Sequence, residues 1–391
     1  MIARTRRLDG DVDLLAVAGR DGVLFEQHGV GLAGRGCAAR AQVGEVDALL
    51  ASIETDDEVG VPGTGPVAFG ALPFLESASG ELVVPSIVVG RADDGTRWVT
   101  TIDDHEQPVL ADDESLEQPS SFSVRPAREP AAWCGAVAAA VDEMRSGALT
   151  KAVLAREIVV EADCHIDVVS VLARLRATYP SAFVFLVDGF LGASPELLVS
   201  RTGDVVRSHP MAGTTARTGD PATDARLAAS LLSSAKDRAE HQVTIDTVLD
   251  AVLPFCSYVD SEPEPSIVTL ANVQHLASLV EGRLSSPPAS VLTLVGALHP
   301  TPAVCGMPRD AALELIARLE GFDRGRYAGT VGWVDRTGNG RFAVSIRCAE
   351  VSGSRARLVA GNGIVADSDP SLELAETRAK LQAMLGAVVR P

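Results

Sequence analysis

Aromatic residues make up only 4% of this chain, and its six cysteines (Cys37, Cys134, Cys164, Cys256, Cys305 and Cys348) are scattered with no Cys-x-x-Cys pair. That spacing gives no sign of a zinc site or a disulfide framework, and it reads as buried, reduced thiols in a cytosolic protein. Also missing is any apolar run long enough to span a bilayer. Arg4, Arg6 and Arg7 near the start resemble the head of a targeting segment, but Asp9, Asp11 and Asp13 follow at once and no uninterrupted apolar stretch comes after them. Net positive charge is lacking too: the formal charge is −18 at pH 7. Such a balance argues against nucleic-acid or anionic-membrane partners. An anionic ligand would therefore need cations placed locally, or a bound metal. The expected protein is soluble and cytoplasmic.

Hydrophobic residues account for 46% of the chain, so a substantial core can form. The 391 residues would allow two or three average domains, or one large α/β or α+β unit. No internal repeat is visible. Residues 102–130 form the best linker candidate, with Asp103-Asp104-His105-Glu106, Asp112-Asp113-Glu114, Pro119-Ser120-Ser121 and Pro126. Before it, short apolar runs broken by Gly and Pro read as strands and turns. After it the pattern alternates. Helices are predicted over 133–144, over 167–179 with Asp167 as cap, over 224–253 in one piece or two, and over 310–320 ending at Gly321. Strands are predicted over 152–160, 183–188, 197–201, 205–209, 327–334, 342–350 and 356–360. This mixture of helices and hairpins indicates α+β.

The chemistry gathers in acid pairs. Gly361-Asn362-Gly363 reads as a turn with free backbone N–H groups, followed by a helix that starts at Pro370 and Ser371. On that helix Glu373, Glu376 and Lys380 fall at i, i+3 and i+7 and share a side. One such cluster is more often a solvated face than a site. A second pair with the same spacing, Asp237 and Glu240, lies far upstream in another helical stretch. Two helices that each offer an acid pair can converge on one hard cation, and Mg²⁺ suits one or two direct carboxylates with further acids on its waters. A di-iron reading wants Glu-x-x-His, and His241 directly follows Glu240 instead.

Other residues carry a weaker signal. Lys151 stands at the mouth of a buried strand, where a lysine is usually solvated but can serve as a general base. Glu196 follows Gly192-Ala193-Ser194-Pro195, at a predicted strand start, and would be a rim residue or a general acid. Residues 208–215, with Gly213 and Thr214, read as a small-residue turn whose amides could meet a carboxylate. His275 lies in an apolar stretch and by default is a satisfied core histidine. Arg347, read as part of a strand, would be costly there without a carboxylate partner, and Tyr327 could add a hydroxyl to the same group.

Taken together, these segments resemble the chorismate-utilising enzymes over roughly residues 130–390, and within them the isochorismate synthase branch. The resemblance implies one large α+β unit of two stacked, mostly antiparallel sheets flanked by helices. Residues 1–125 would be a weakly matching N-terminal part of that fold and 126–391 the chorismate-binding catalytic region. It implies Lys151 as the base that activates water and Glu196 as the acid that assists loss of a hydroxyl. It implies Mg²⁺ as cofactor, with Glu240 and Glu376 as ligands and Asp237 and Glu373 holding metal-bound water. Gly213 and Thr214 would meet the ring carboxylate. Tyr327, Arg347, Gly361 and Gly363 would meet the enolpyruvyl carboxylate, with Lys380 nearby and His275 as a further contact. Lys151 separates the chain from the anthranilate branch. Ala303, within His299-Pro300-Thr301-Pro302-Ala303, stands where aminating and salicylate-forming relatives place threonine. The alternatives are a salicylate synthase and an aminodeoxychorismate or anthranilate synthase-type subunit. No glutaminase partner is expected, and a monomer is. The product would feed menaquinone or siderophore biosynthesis.

Overall fold

The computed structural model describes residues 1–75, 80–103, 117–147, 149–270 and 273–390. Among these residues the strands form a sheet of 13, a sheet of nine and a small sheet of three, with helices packed around them. Nearly every pairing is antiparallel; the exception is Ile2–Arg7 with Glu54–Asp57. The class is α+β, as the sequence predicts. Strands from residues 2–102 lie in the same two large sheets as strands from the rest of the chain. The acidic runs of the predicted linker at 104–116 lie outside the described residues. The strand Phe122–Pro126 just beyond them pairs with Lys151–Ala162.

Side-chain alternation shows how the layers are built. In the strand Phe183–Val187, Phe183, Phe185 and Val187 enter the core shared with Phe69, Val331 and Phe342 of the nine-stranded sheet. The intervening Val184 and Leu186 point the other way, into a second core with Leu14, Val171, Leu175, Leu381 and Met384 of three covering helices. A strand buried on both faces reads as an unbroken apolar run, as this one does.

The helices fall close to their predicted places. Asp167 caps Val168–Thr178 by accepting from the Val169 N–H at 3.2 Å. The long helical region is two helices, Pro221–Ser233 and Ala235–Val252. Ser234 breaks it, because its Oγ accepts from the Asp237 N–H at 3.2 Å and caps the second helix.

Several predicted elements are corrected. The single strand over 342–350 is two, Gly340–Val344 and Cys348–Ser352, in different sheets. Ser345, Ile346 and Arg347 form the crossing, and Arg347 adopts a left-handed φ of 53° that a strand does not allow. The turn at Gly361 is instead the end of the strand Arg355–Ile364, paired along Lys151–Ala162. The turn over 208–215 is the strand Met211–Ala216 with an irregularity at Gly213, whose φ is 74°. The strand predicted from Tyr327 begins only at Thr330, and Tyr327 sits in the preceding turn, 6% exposed.

A candidate active site where the sheets exchange strands

Three passages between sheets meet at one place. Pro195 and Glu196 link Phe190–Ser194 of the large sheet to Leu197–Thr202 of the nine-stranded sheet. Residues 345–347 make the return crossing, and Pro210 leads into the small sheet. Bonds tie the first two crossings together: Ser194 Oγ donates to the Val344 carbonyl at 2.6 Å, and the Ala193 N–H donates to the Arg347 carbonyl at 3.0 Å. A cavity of about 240 Å³ opens there. Its wall includes Lys151, Glu196, Gly213, Thr214, Asp237, Glu240, His275, Ala303, Tyr327, Arg347, Gly361, Gly363, Glu376 and Lys380. Every candidate residue except Glu373 is thus brought to one cavity. A larger cavity of about 410 Å³ holds none of them; Arg20, Asp21, His165 and Asp188 help to line it. The smaller one is the candidate site, because the acid pairs and lysines converge there.

The fully buried carboxyl of Glu196 is pushed up to about 7 by desolvation, against the lowering pull of a Met211 backbone hydrogen bond, Arg347 and Lys151. Near neutrality it can therefore carry a proton to donate. Lys151 Nζ donates to Glu240 Oε1 at 2.5 Å. Gly363 makes room for this lysine: a Cβ there would lie 2.7 Å from Lys151 Cε. Across the cavity Lys380 Nζ pairs with Glu376 Oε1 at 2.8 Å and donates to the Gly361 carbonyl and Asn362 Oδ1. Burial lowers the Lys380 pKa, against the raising effect of Glu376.

Glu240 and Glu376 are thus each held by one lysine, with Asp237 on the same wall. Among the described residues no three acidic, histidine or cysteine side chains converge as a ready cage. The donor set still fits a hard cation that takes one or two direct carboxylates and keeps several waters. Glu373 turns aside and accepts from Asn362 Nδ2 at 3.0 Å and Ser368 Oγ at 2.7 Å. Burial raises its pKa.

His275 lines the cavity with Nδ1 3.0 Å from Thr214 Oγ1 and 3.3 Å from the Gly213 carbonyl. Burial, with Arg347 and Lys380, pushes it down to about 3, so it is neutral. His241 points elsewhere, with Nε2 3.0 Å from Ser278 Oγ. The Arg347 guanidinium has no hydrogen bond or ion pair to the described residues, and burial lowers its pKa. A guanidinium with free donors, facing a cavity from a strained backbone position, has the chemistry to take an anion. Tyr327 stands beside it, its phenol pushed up by burial and therefore a donor.

Sequence reasoning missed Asn362, whose buried carboxamide links Lys380 to Glu373. The signal was its place between the two glycines, and reading that segment as a turn concealed it. Also missed was the contribution of Met211, a backbone bond with no sequence signature.

The chain belongs to the chorismate-binding enzymes: the family model described as "Chorismate binding enzyme" matches residues 38–389. It is 40% identical over 336 residues to isochorismate synthase DhbC of Bacillus subtilis (strain 168), across 83% of this chain and 81% of that protein. To isochorismate synthase MenF of the same organism it is 32% identical over 353 residues, across 83% and 75%. Among solved structures it is similar to MenF, the menaquinone-specific isochorismate synthase of Escherichia coli, with a TM-score of 0.85 and 24% identity over 99% of this chain and 94% of that one. At that identity the likeness is one of fold. No helix among the described residues is long and apolar enough to cross a membrane.

Proposed function

We propose that this protein is an isochorismate synthase, converting chorismate to isochorismate by addition of water at C2 and loss of the C4 hydroxyl. The observation that carries the reading is the pairing, in one cavity, of Lys151 with a buried Glu196 whose pKa is raised to about 7. Lys151 Nζ takes a proton from water as the water oxygen bonds to C2. Both ring double bonds shift, C1=C2 to C1=C6 and C5=C6 to C4=C5, the C4–O bond breaks, and Glu196 supplies the proton with which the hydroxyl leaves as water. One water enters and one departs, so the net change is an isomerisation.

Arg347 and Tyr327, with the amides of Gly361 and Gly363, would hold the enolpyruvyl carboxylate, and Gly213 and Thr214 the ring carboxylate. Lys380 adds positive charge and His275 a neutral ring nitrogen. Mg²⁺ held by Glu240 and Glu376, with Asp237 on its waters, would neutralise the ring carboxylate as charge redistributes; Glu373 would reach those waters only by leaving Asn362 and Ser368. Ala303 presents a methyl where a lyase or aminating branch presents a hydroxyl, which favours release of isochorismate over further reaction.

The test is incubation of the purified protein with chorismate and Mg²⁺, resolving isochorismate, salicylate and pyruvate. Isochorismate is the expected main product, formed only with the metal. Glu240→Gln and Glu376→Gln are each expected to lower the rate by about 10²-fold or more. Full turnover in excess chelator would overturn the metal assignment. Salicylate and pyruvate as main products would transfer the protein to the salicylate synthases.

A further inference from the structure

Behind the cavity wall lies an ion pair that no step above uses. Glu320 and Arg324 are buried, with side-chain exposures of 2% each. Arg324 Nε donates to Glu320 Oε2 at 2.8 Å and Nη2 to Glu320 Oε1 at 2.5 Å. The remaining donors reach two other chain segments: Nη1 meets the Val304 carbonyl at 2.8 Å, and Nη2 the Val153 carbonyl at 2.7 Å. Glu320 Oε1 also accepts from the Ala155 N–H at 2.7 Å. The guanidinium lies 4.2 Å from the centroid of the Phe74 ring.

Each carbonyl belongs to the cavity wall. Val153 lines it two residues beyond Lys151, and Val304 lines it directly after Ala303. The Arg324 carbonyl in turn accepts from the N–H of Tyr327, another wall residue. The same two segments meet at Val153, whose N–H donates to the Cys305 carbonyl at 2.7 Å. A buried ion pair is weak evidence for stability, since apolar groups of the same shape often serve as well. A planar fork that binds two carbonyls in separate segments does what apolar packing cannot: it fixes their separation.

We propose that Arg324, locked in orientation by Glu320, is a positioning residue that sets the distance between the strand bearing Lys151 and the loop bearing Ala303, and so places the base over the reacting carbon. This rests on the isochorismate synthase reading. Arg324→Lys keeps the charge beside Glu320 but cannot hold both carbonyls in one plane. Displacement of a catalytic group by about an ångström costs on the order of 10²-fold in rate.

The experiment measures kcat and KM for chorismate with saturating Mg²⁺ in four proteins: wild type, Arg324→Lys, Lys151→Ala and the double variant, all below their measured unfolding temperatures. For Arg324→Lys, kcat is expected to fall by about 10- to 100-fold while KM stays within about threefold. In the double variant the combined loss should be well short of the product of the single losses, because Arg324 acts through Lys151. Glu320→Gln, which can still accept from Ala155 while loosening the guanidinium, is expected to lower kcat in the same way by a smaller factor. It carries the test if Arg324→Lys does not fold. An unchanged kcat, losses that multiply, or a rise in KM alone would overturn the proposal. Wild-type protein that makes no isochorismate would instead overturn the reading beneath it.

Discussion

Arg324 and Arg347 sit behind and within the same cavity wall, and their donors meet opposite fates. Arg324 has a carboxylate on one side and two carbonyls on the other. Burial alone would lower its pKa, but Glu320 outweighs that and holds it raised. Arg347 feels Tyr327, Tyr179, Glu196 and Glu376 only through space, and burial leaves its pKa lowered. One guanidinium is finished inside the fold; the other lacks an anion. A buried charge is therefore not in itself a mark of function. A charge whose donors remain open toward a cavity is, because only a ligand can offset its desolvation.

The comparison breaks most directly by removing each cation. Arg347→Met is expected to lower kcat/KM for chorismate by about 10²-fold or more, as loss of a charge-assisted contact to a carboxylate does. Its thermal midpoint should hold or rise, since an unpaired charge has been deleted. Arg324→Met should do the reverse first, destabilising by about 3–5 kcal/mol because Glu320 and two carbonyls lose their partner. Calorimetry beside steady-state kinetics reads both variants. A destabilised Arg347→Met, or an Arg324→Met as stable as wild type, would show that the two roles have been misassigned.

A finer test uses pH. Glu196 lies in the crossing next to that of Arg347, and under the proposed mechanism it must be protonated to act as the acid. With a pKa of about 7, that form is fully present well below neutrality and is lost as pH rises through 7. The profile of kcat/KM is expected to fall on the alkaline side with a midpoint near that value. Glu196→Gln should cost about 10²-fold at the optimum and remove the limb. If the limb persists in the variant, another group is the acid.

The smallest effect is expected at Ala303, beside the carbonyl that Arg324 holds. Ala303→Thr adds a β-branched hydroxyl at the cavity wall, and a severalfold slower formation of isochorismate should result, with a trace of pyruvate. A parallel assay of both products checks it. Wild-type behaviour in both would reduce position 303 to packing.

Much of this was legible in order along the chain, because helices and their faces are local. Asp237 with Glu240, and Glu376 with Lys380, were placed by a spacing of three or four residues, and both pairs line the cavity. The same spacing put Glu373 with them, yet Asn362 and Ser368 draw its carboxylate aside. Gly361 and Gly363 were recognised as special but misread as a turn, since the partner strand that makes them extended lies some two hundred residues away. Glu320 and Arg324, four apart, straddle Gly321, so the pair looked like a helix end and the loop after it.

The sequence by itself determined the α+β class, the helix caps, the two acid pairs and the resemblance that names the family, because each is written in spacing or in short ordered segments. Only the tertiary structure decided that Glu196 and Arg347 lie at neighbouring crossings between sheets. It alone set Lys151 against Glu240, left Arg347 open and closed Arg324. Desolvation and hydrogen-bond satisfaction depend on which distant segments meet around a group, and no local pattern records that.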